Sequence, residues 1–108
     1  MAFSSYHNIL GATSQDQILI EAGNKAGDIK SILLTNVHAS ADATVSLSVR
    51  NLKTGTETYY LLHTVAIPAD TSLLLDNPAI LRFDNRTDRY SLVITVGASD
   101  TVDVTIKR

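Results

Sequence analysis

Apolar and polar residues alternate along much of this chain with a period of two. Thr44 to Arg50 carries Val45, Leu47 and Val49 on one side, with Thr44, Ser46, Ser48 and Arg50 on the other. Thr101 to Lys107 repeats the pattern with Val102, Val104 and Ile106, and Tyr90 to Val96 does so with Tyr90, Leu92, Ile94 and Val96. Alternation of this kind places one face of a strand in a core and the other in water. Further strands are expected over 17–21, 28–37, 56–65, 72–75 and 80–83, which makes about eight in all. The breaks between them carry turn chemistry: Gly23 to Gly27, Ala39 to Asp42, Lys53 to Thr56, Pro68 to Asp70, Asp76 to Pro78, Asp84 to Asp88 and Gly97 to Asp100. No stretch has a helical period long enough to bridge parallel strands. The expected fold is all-β, an antiparallel β-sandwich of jelly-roll or immunoglobulin-like type.

Three segments depart from clean alternation. Ile32-Leu33-Leu34, Thr58 to His63 and Leu73-Leu74-Leu75 place large apolar groups on both faces. A single core takes one face only, so the second is covered by a loop or meets another subunit. The residues before Gln17 are apolar in places and have no steady period. They are read as an N-terminal arm, 1–16, preceding a sandwich domain, 17–108. Phe3, Tyr6, Ile9 and Leu10 in that arm are costly to leave in water, so it is expected to be pinned, along its own sandwich or on a neighbouring subunit. On this reading the arm is dispensable for folding and contributes to association.

Composition fits a globular strand protein. The 108 residues are 44% hydrophobic and 19% charged, and glutamate occurs only at Glu21 and Glu57. The length allows one domain. Nine basic and eleven acidic residues give a net charge of −2, without the basic excess of a nucleic-acid-binding chain. Cysteine is absent, which removes disulfides, thiol nucleophiles and thiolate metal sites. No secretory signal pattern opens the sequence, and no apolar run reaches the ~20 residues of a membrane span.

Candidate chemistry is thin. No G-x-S-x-G elbow and no phosphate-cradling glycine loop is present. His7, His38 and His63 belong to no metal or catalytic spacing, and each reads as a structural histidine. Asp84, Asn85 and Asp88 offer oxygen ligands without the spacing of a calcium loop, so turn capping is the plainer reading. Arg82, Arg86 and Arg89 lie close together but are interleaved with Asp84 and Asp88; they form a solvated loop or a docking patch for an acidic surface. These residues point away from an enzyme, and toward a binding or structural role without a cofactor.

Gly27 to Asn36, Ala41 to Val49, Tyr59 to Leu73 and the closing pair Tyr90 to Ile106 together resemble small β-sandwich virion proteins of tailed bacteriophages, both head-decoration and tail- or neck-associated chains. The resemblance carries no catalytic residues. It implies a homo-oligomer that is assembled in the host cytoplasm into the virion. Its partners would be the major capsid protein or other virion subunits, without nucleic acid or membrane. Within that class a capsid decoration (cement) role is favoured over a tail, neck or fibre-adaptor role. Phe3, Tyr6, Ile9, Leu10, Tyr59, Leu61, Arg82, Arg86 and Arg89 are the candidate interface residues. A carbohydrate-binding or adhesion module is a further alternative, weakened by the absence of tryptophan and by the expectation that some tyrosines serve the core.

Leu47 lies at the centre of the cleanest alternating strand. Leu47→Asp is therefore expected to bury an unpaired charge and unfold the domain. Far-UV circular dichroism of the variant checks this, and native-like melting would contradict the strand assignment.

Overall fold

A computed structural model describes residues 4–23, 29–51, 57–77, 81, 83 and 89–107. Eight strands are present among them: β1 Ser4–Leu10, β2 Asp16–Ile20, β3 Ser31–Asn36, β4 Ala43–Asn51, β5 Glu57–Ile67, β6 Ser72–Leu75, β7 Ser91–Val96 and β8 Thr101–Lys107. They form two four-stranded sheets, ordered β1-β8-β3-β6 and β2-β7-β4-β5. All the pairings are antiparallel. β1 pairs with β8, β2 with β7, β3 with β6 and β4 with β5. The pairs are therefore nested, as in one long hairpin folded at β4–β5 and rolled up. That nesting is the jelly-roll wrap and not the immunoglobulin one.

The core lies between the sheets. Ile32, Leu34, Val102, Val104 and Ile106 face inward from the first sheet; Val45, Leu47, Leu92, Ile94 and Val96 answer them from the second. Val, Ile and Leu at alternate positions of β3, β4, β7 and β8 are thus the direct cause of the two-layer packing.

One end of the roll is fastened by polar groups. The Asp100 carboxylate accepts the N–H of Gly97 at 3.1 Å and that of Thr44 at 3.0 Å. The Asp100 carbonyl accepts the N–H of Gly11 at 2.9 Å. These bonds join the turn after β1, the β7–β8 turn and the start of β4. A Cβ on Gly11 would stand 1.8 Å from the carbonyl oxygen of Gly97, so only glycine fits there. Asn36, fully buried at the end of β3, donates to the carbonyls of Ala41 (2.8 Å) and Ile67 (2.9 Å) and accepts the N–H of His38 (3.0 Å). Its amide supplies a strand end and a loop with partners that a core otherwise denies them.

Two expectations are corrected. The stretch read as an arm supplies β1, in register with β8 from Ser4↔Lys107 to Leu10↔Thr101. Ile9 is 3% exposed and belongs to the core. The strand expected over 80–83 is not formed at Leu81, whose N–H bonds back to the Asn77 carbonyl at 3.2 Å in a helical turn. The turns expected over 24–27, 53–56 and 84–88 lie outside the described residues.

Removing the residues before Gln17 strips β1 from β8 and uncovers one flank of the core. The truncated chain is expected to unfold, or to melt at least about 10 °C lower. A thermal denaturation experiment checks this, and unchanged melting would show that β1 contributes nothing to the roll.

Candidate interaction surfaces

The outward face of the first sheet carries an apolar row. Tyr6 lies opposite Thr105, Thr105 opposite Leu33, and Leu33 opposite Leu74. Tyr6 is 75% and Leu74 55% exposed, and Leu33 is half-buried. The two-sided apolar patterns at 32–34 and 73–75 have this origin: one side enters the core, the other builds the row. Beside it runs a polar row. There Asn8 Nδ2 donates to Asp103 Oδ1 at 2.6 Å, and the hydroxyls of Thr35 and Ser72 share a bond of 2.9 Å.

The outward face of the second sheet is differently finished. Ser48 and Val93 are buried there although, among the described residues, no second layer of strands covers them. Arg50 explains it. Its Nε donates to Ser48 Oγ at 3.1 Å, its Nη2 to Thr95 Oγ1 at 3.3 Å and its Nη1 to Asp16 Oδ2 at 3.4 Å. To reach these partners the Arg50 side chain crosses the row at Ser48 and Val93, while Ile18 and Tyr60 at the two ends of the same row stay exposed. Thr95 Oγ1 also donates to Asp16 Oδ1 at 2.6 Å. The ion pair itself is surface-exposed on the Asp16 side and contributes at most about 1 kcal/mol.

β5, at the edge of this sheet, has eleven residues and two register shifts against β4, one on either side of Leu47. At the second, Thr64 takes a φ of 48°, which a β-branched residue rarely adopts. Its N–H is held by Ser46 Oγ at 2.9 Å. Such bulges kink an edge strand and block pairing with a further strand. Near the bulges the Tyr60 ring packs on His63 at a centroid distance of 4.5 Å, and Tyr59 meets Tyr90 edge-on at 6.0 Å. Where the β5 and β6 edges diverge, Leu61, Leu62, Leu74, Leu75 and Leu81 line a groove of about 220 Å³.

Of the candidate interface residues, Tyr6, Leu10 and Tyr59 are exposed, as is Arg89. Leu61 is half-buried in the leucine-lined groove, and Ile9 is internal. Phe3, Arg82 and Arg86 lie outside the described residues, as do Asp84, Asn85 and Asp88. Sequence reasoning passed over Leu33, Leu74 and Thr105 as a surface unit, because only the register across β8 and β3 aligns them with Tyr6. Of the four tyrosines, Tyr90 packs against the core, and Tyr6, Tyr59 and Tyr60 face solvent.

The histidines are dispersed. His7 is on β1 and His63 on β5. His38 lies in the β3–β4 loop, where its Nδ1 accepts the N–H groups of Ser40 and Ala41, each at 3.1 Å. Among the described residues no group of three His, Asp or Glu side chains is placed to hold a metal ion. No helix among them is long and apolar enough to cross a membrane. No protein-family model, no curated protein and no solved structure matches the chain.

The Tyr90 hydroxyl donates to Glu57 Oε2 at 2.8 Å. That bond first, then partial burial and the carboxylate charge, raise its pKa from 10.0 to about 12. A raised tyrosine pKa means that the folded state favours the neutral phenol. The associated stability is complete below pH 10.0 and disappears as pH climbs toward 12. Titration of phenolate absorbance should show one of the four tyrosines ionising late, and Glu57→Gln should bring it back toward the others. Four tyrosines titrating together in the wild-type chain would contradict the bond.

Proposed function

We propose that the chain is a bacteriophage virion structural protein, of the capsid-decoration type, that binds the coat lattice across junctions between coat subunits. The observation that carries the reading is the apolar row Tyr6–Thr105–Leu33–Leu74. It lies on the outside of a small sandwich whose core is already complete. An outward apolar row on a small sandwich is what a protein buried in repeated contacts needs. The resemblance of the strand-and-turn segments to phage decoration and tail-associated chains supports the same reading. Function here resides in surfaces and not in a reacting group. A tail, neck or fibre-adaptor position would use the same sandwich in a ring.

A carbohydrate-binding or adhesion role has one observation in its favour. Tyr59 and Tyr60 are 57% and 50% exposed on neighbouring positions of β5, and exposed aromatic rings are the usual platforms for sugar rings. They point to opposite sides of the strand, however, and each already packs on another ring, which leaves a smaller platform than their exposure suggests.

Quantitative mass spectrometry of purified particles from the native source tests the proposal. A copy number comparable with the major coat protein is the expected result. A small fraction of that number would move the chain to the neck or tail. Absence from particles would overturn the virion reading.

A further inference from the structure

The outward face of the β1-β8-β3-β6 sheet is complementary to itself. On β8, Asp103, Thr105 and Lys107 all face outward, so a negative, a neutral and a positive position follow one another at spacings of about 7 Å. Thr105 belongs to the apolar row; Asp103 and Lys107 stand on either side of it. Both charged residues are exposed. A two-fold axis laid along the row, across the four strands, would turn a second copy face to face with the first. Each strand would then cross its own counterpart in the opposite direction. Tyr6 would meet Tyr6 of the second copy, Leu33 would meet Leu33, and Leu74 would meet Leu74. Asp103 of each copy would face Lys107 of the other, so the charges would pair twice. An axis parallel to the strands would give no such match, since Asp103 would then oppose the polar row of β3 and β6.

From this geometry we propose that the chain forms an isologous dimer through the outward face of the β1-β8-β3-β6 sheet, its partner a second copy of the same chain. The inference draws on the same apolar row as the virion reading and assigns that row to a second copy, so a coat lattice would meet the dimer through its other surfaces. Three features favour the face over the edges and the opposite sheet. β5, the longest edge, is kinked by two bulges. On the outward side of the other sheet Arg50 crosses the centre of the row and separates exposed Ile18 from exposed Tyr60. The row between Asp103 and Lys107 holds Tyr6, the most exposed large apolar side chain among the described residues.

The size of the face sets the strength. The four strands, of seven, seven, six and four residues, cover on the order of 400 Å² in plan on each copy, the size of a weak, transient contact. A dissociation constant of roughly 100 µM is the scale such a contact supports on its own, and repetition in an assembly would strengthen it.

Sedimentation equilibrium of the full chain from about 1 µM to 1 mM tests this. A monomer–dimer equilibrium is expected, weakened by added salt through the charge pairs. Tyr6→Lys and Leu33→Lys should each weaken it at least about tenfold, because they set like charges across the axis. Tyr6 is so exposed that its substitution spares the fold, and thermal melts confirm folding of every variant. Lys107→Asp should weaken the dimer because carboxylates then face one another. The double variant Asp103→Lys with Lys107→Asp should restore it. A monomer throughout the range would overturn the proposal. So would a dimer indifferent to Tyr6→Lys, or a double swap no better than Lys107→Asp alone.

Discussion

The pairing of β1 with β8 is the constraint on which the rest of the roll depends. β1 and β8 run side by side through seven matched positions, and β8 in turn pairs with β3. Without β1, β8 becomes an edge, Ile9 leaves the core, and the polar lock around Asp100 loses Gly11. Every other pair lies inside this outermost one, down to the β4–β5 hairpin. Such nesting makes the long-range contacts mutually dependent, so the entropy of closing the outer loops must be offset by many contacts at once. The close approach of Gly11 and Gly97 is the local mark of that closure: two turns from opposite ends of the chain touch where no side chain fits.

The same closure decides what the surface offers. Each strand of the roll can place one side in the core, and the apolar groups left over must be shielded, spread or shared. The two sheets solve this differently. Arg50 lies across Ser48 and Val93 on one, anchored by Ser48, Thr95 and Asp16. On the other, Tyr6, Leu33 and Leu74 line up uncovered between polar rows. One face thus carries a row broken at its centre by Arg50, with Ile18 and Tyr60 exposed at its ends, and the other an uninterrupted row, and that difference is the physical basis for reading the protein through its contacts with other subunits.

Much of the fold is legible in the sequence, and the exceptions have physical causes. β4, β7 and β8 sit at sheet centres with their apolar side chains alternating into the core, and their boundaries read cleanly. β1 does not, because its inward side carries Ser5, His7 and Ile9 while Tyr6 and Leu10 point out. Only one of its inward positions reaches the core, so the period-two signal is inverted and the segment resembles an arm. β5 hides its period behind two bulges, each of which shifts the alternation by a residue. The exposed row was half legible. Doubled leucines announced a second apolar face on β3 and β6, but only strand order brings Tyr6 and Thr105, from opposite ends of the chain, into line with it. Tyr90 was rightly placed toward the interior, yet its bond to Glu57 joins residues 33 apart and has no local signal.

Residue-resolved amide hydrogen exchange tests the central claim, that β1 is an integral member of the roll, most directly. Protection of the β1 amides that bond to β8 is expected to match that of β8 itself, through the same cooperative opening. Rapid exchange along β1 while β3 and β8 remain protected would contradict it, because the roll would then close without its outermost pair.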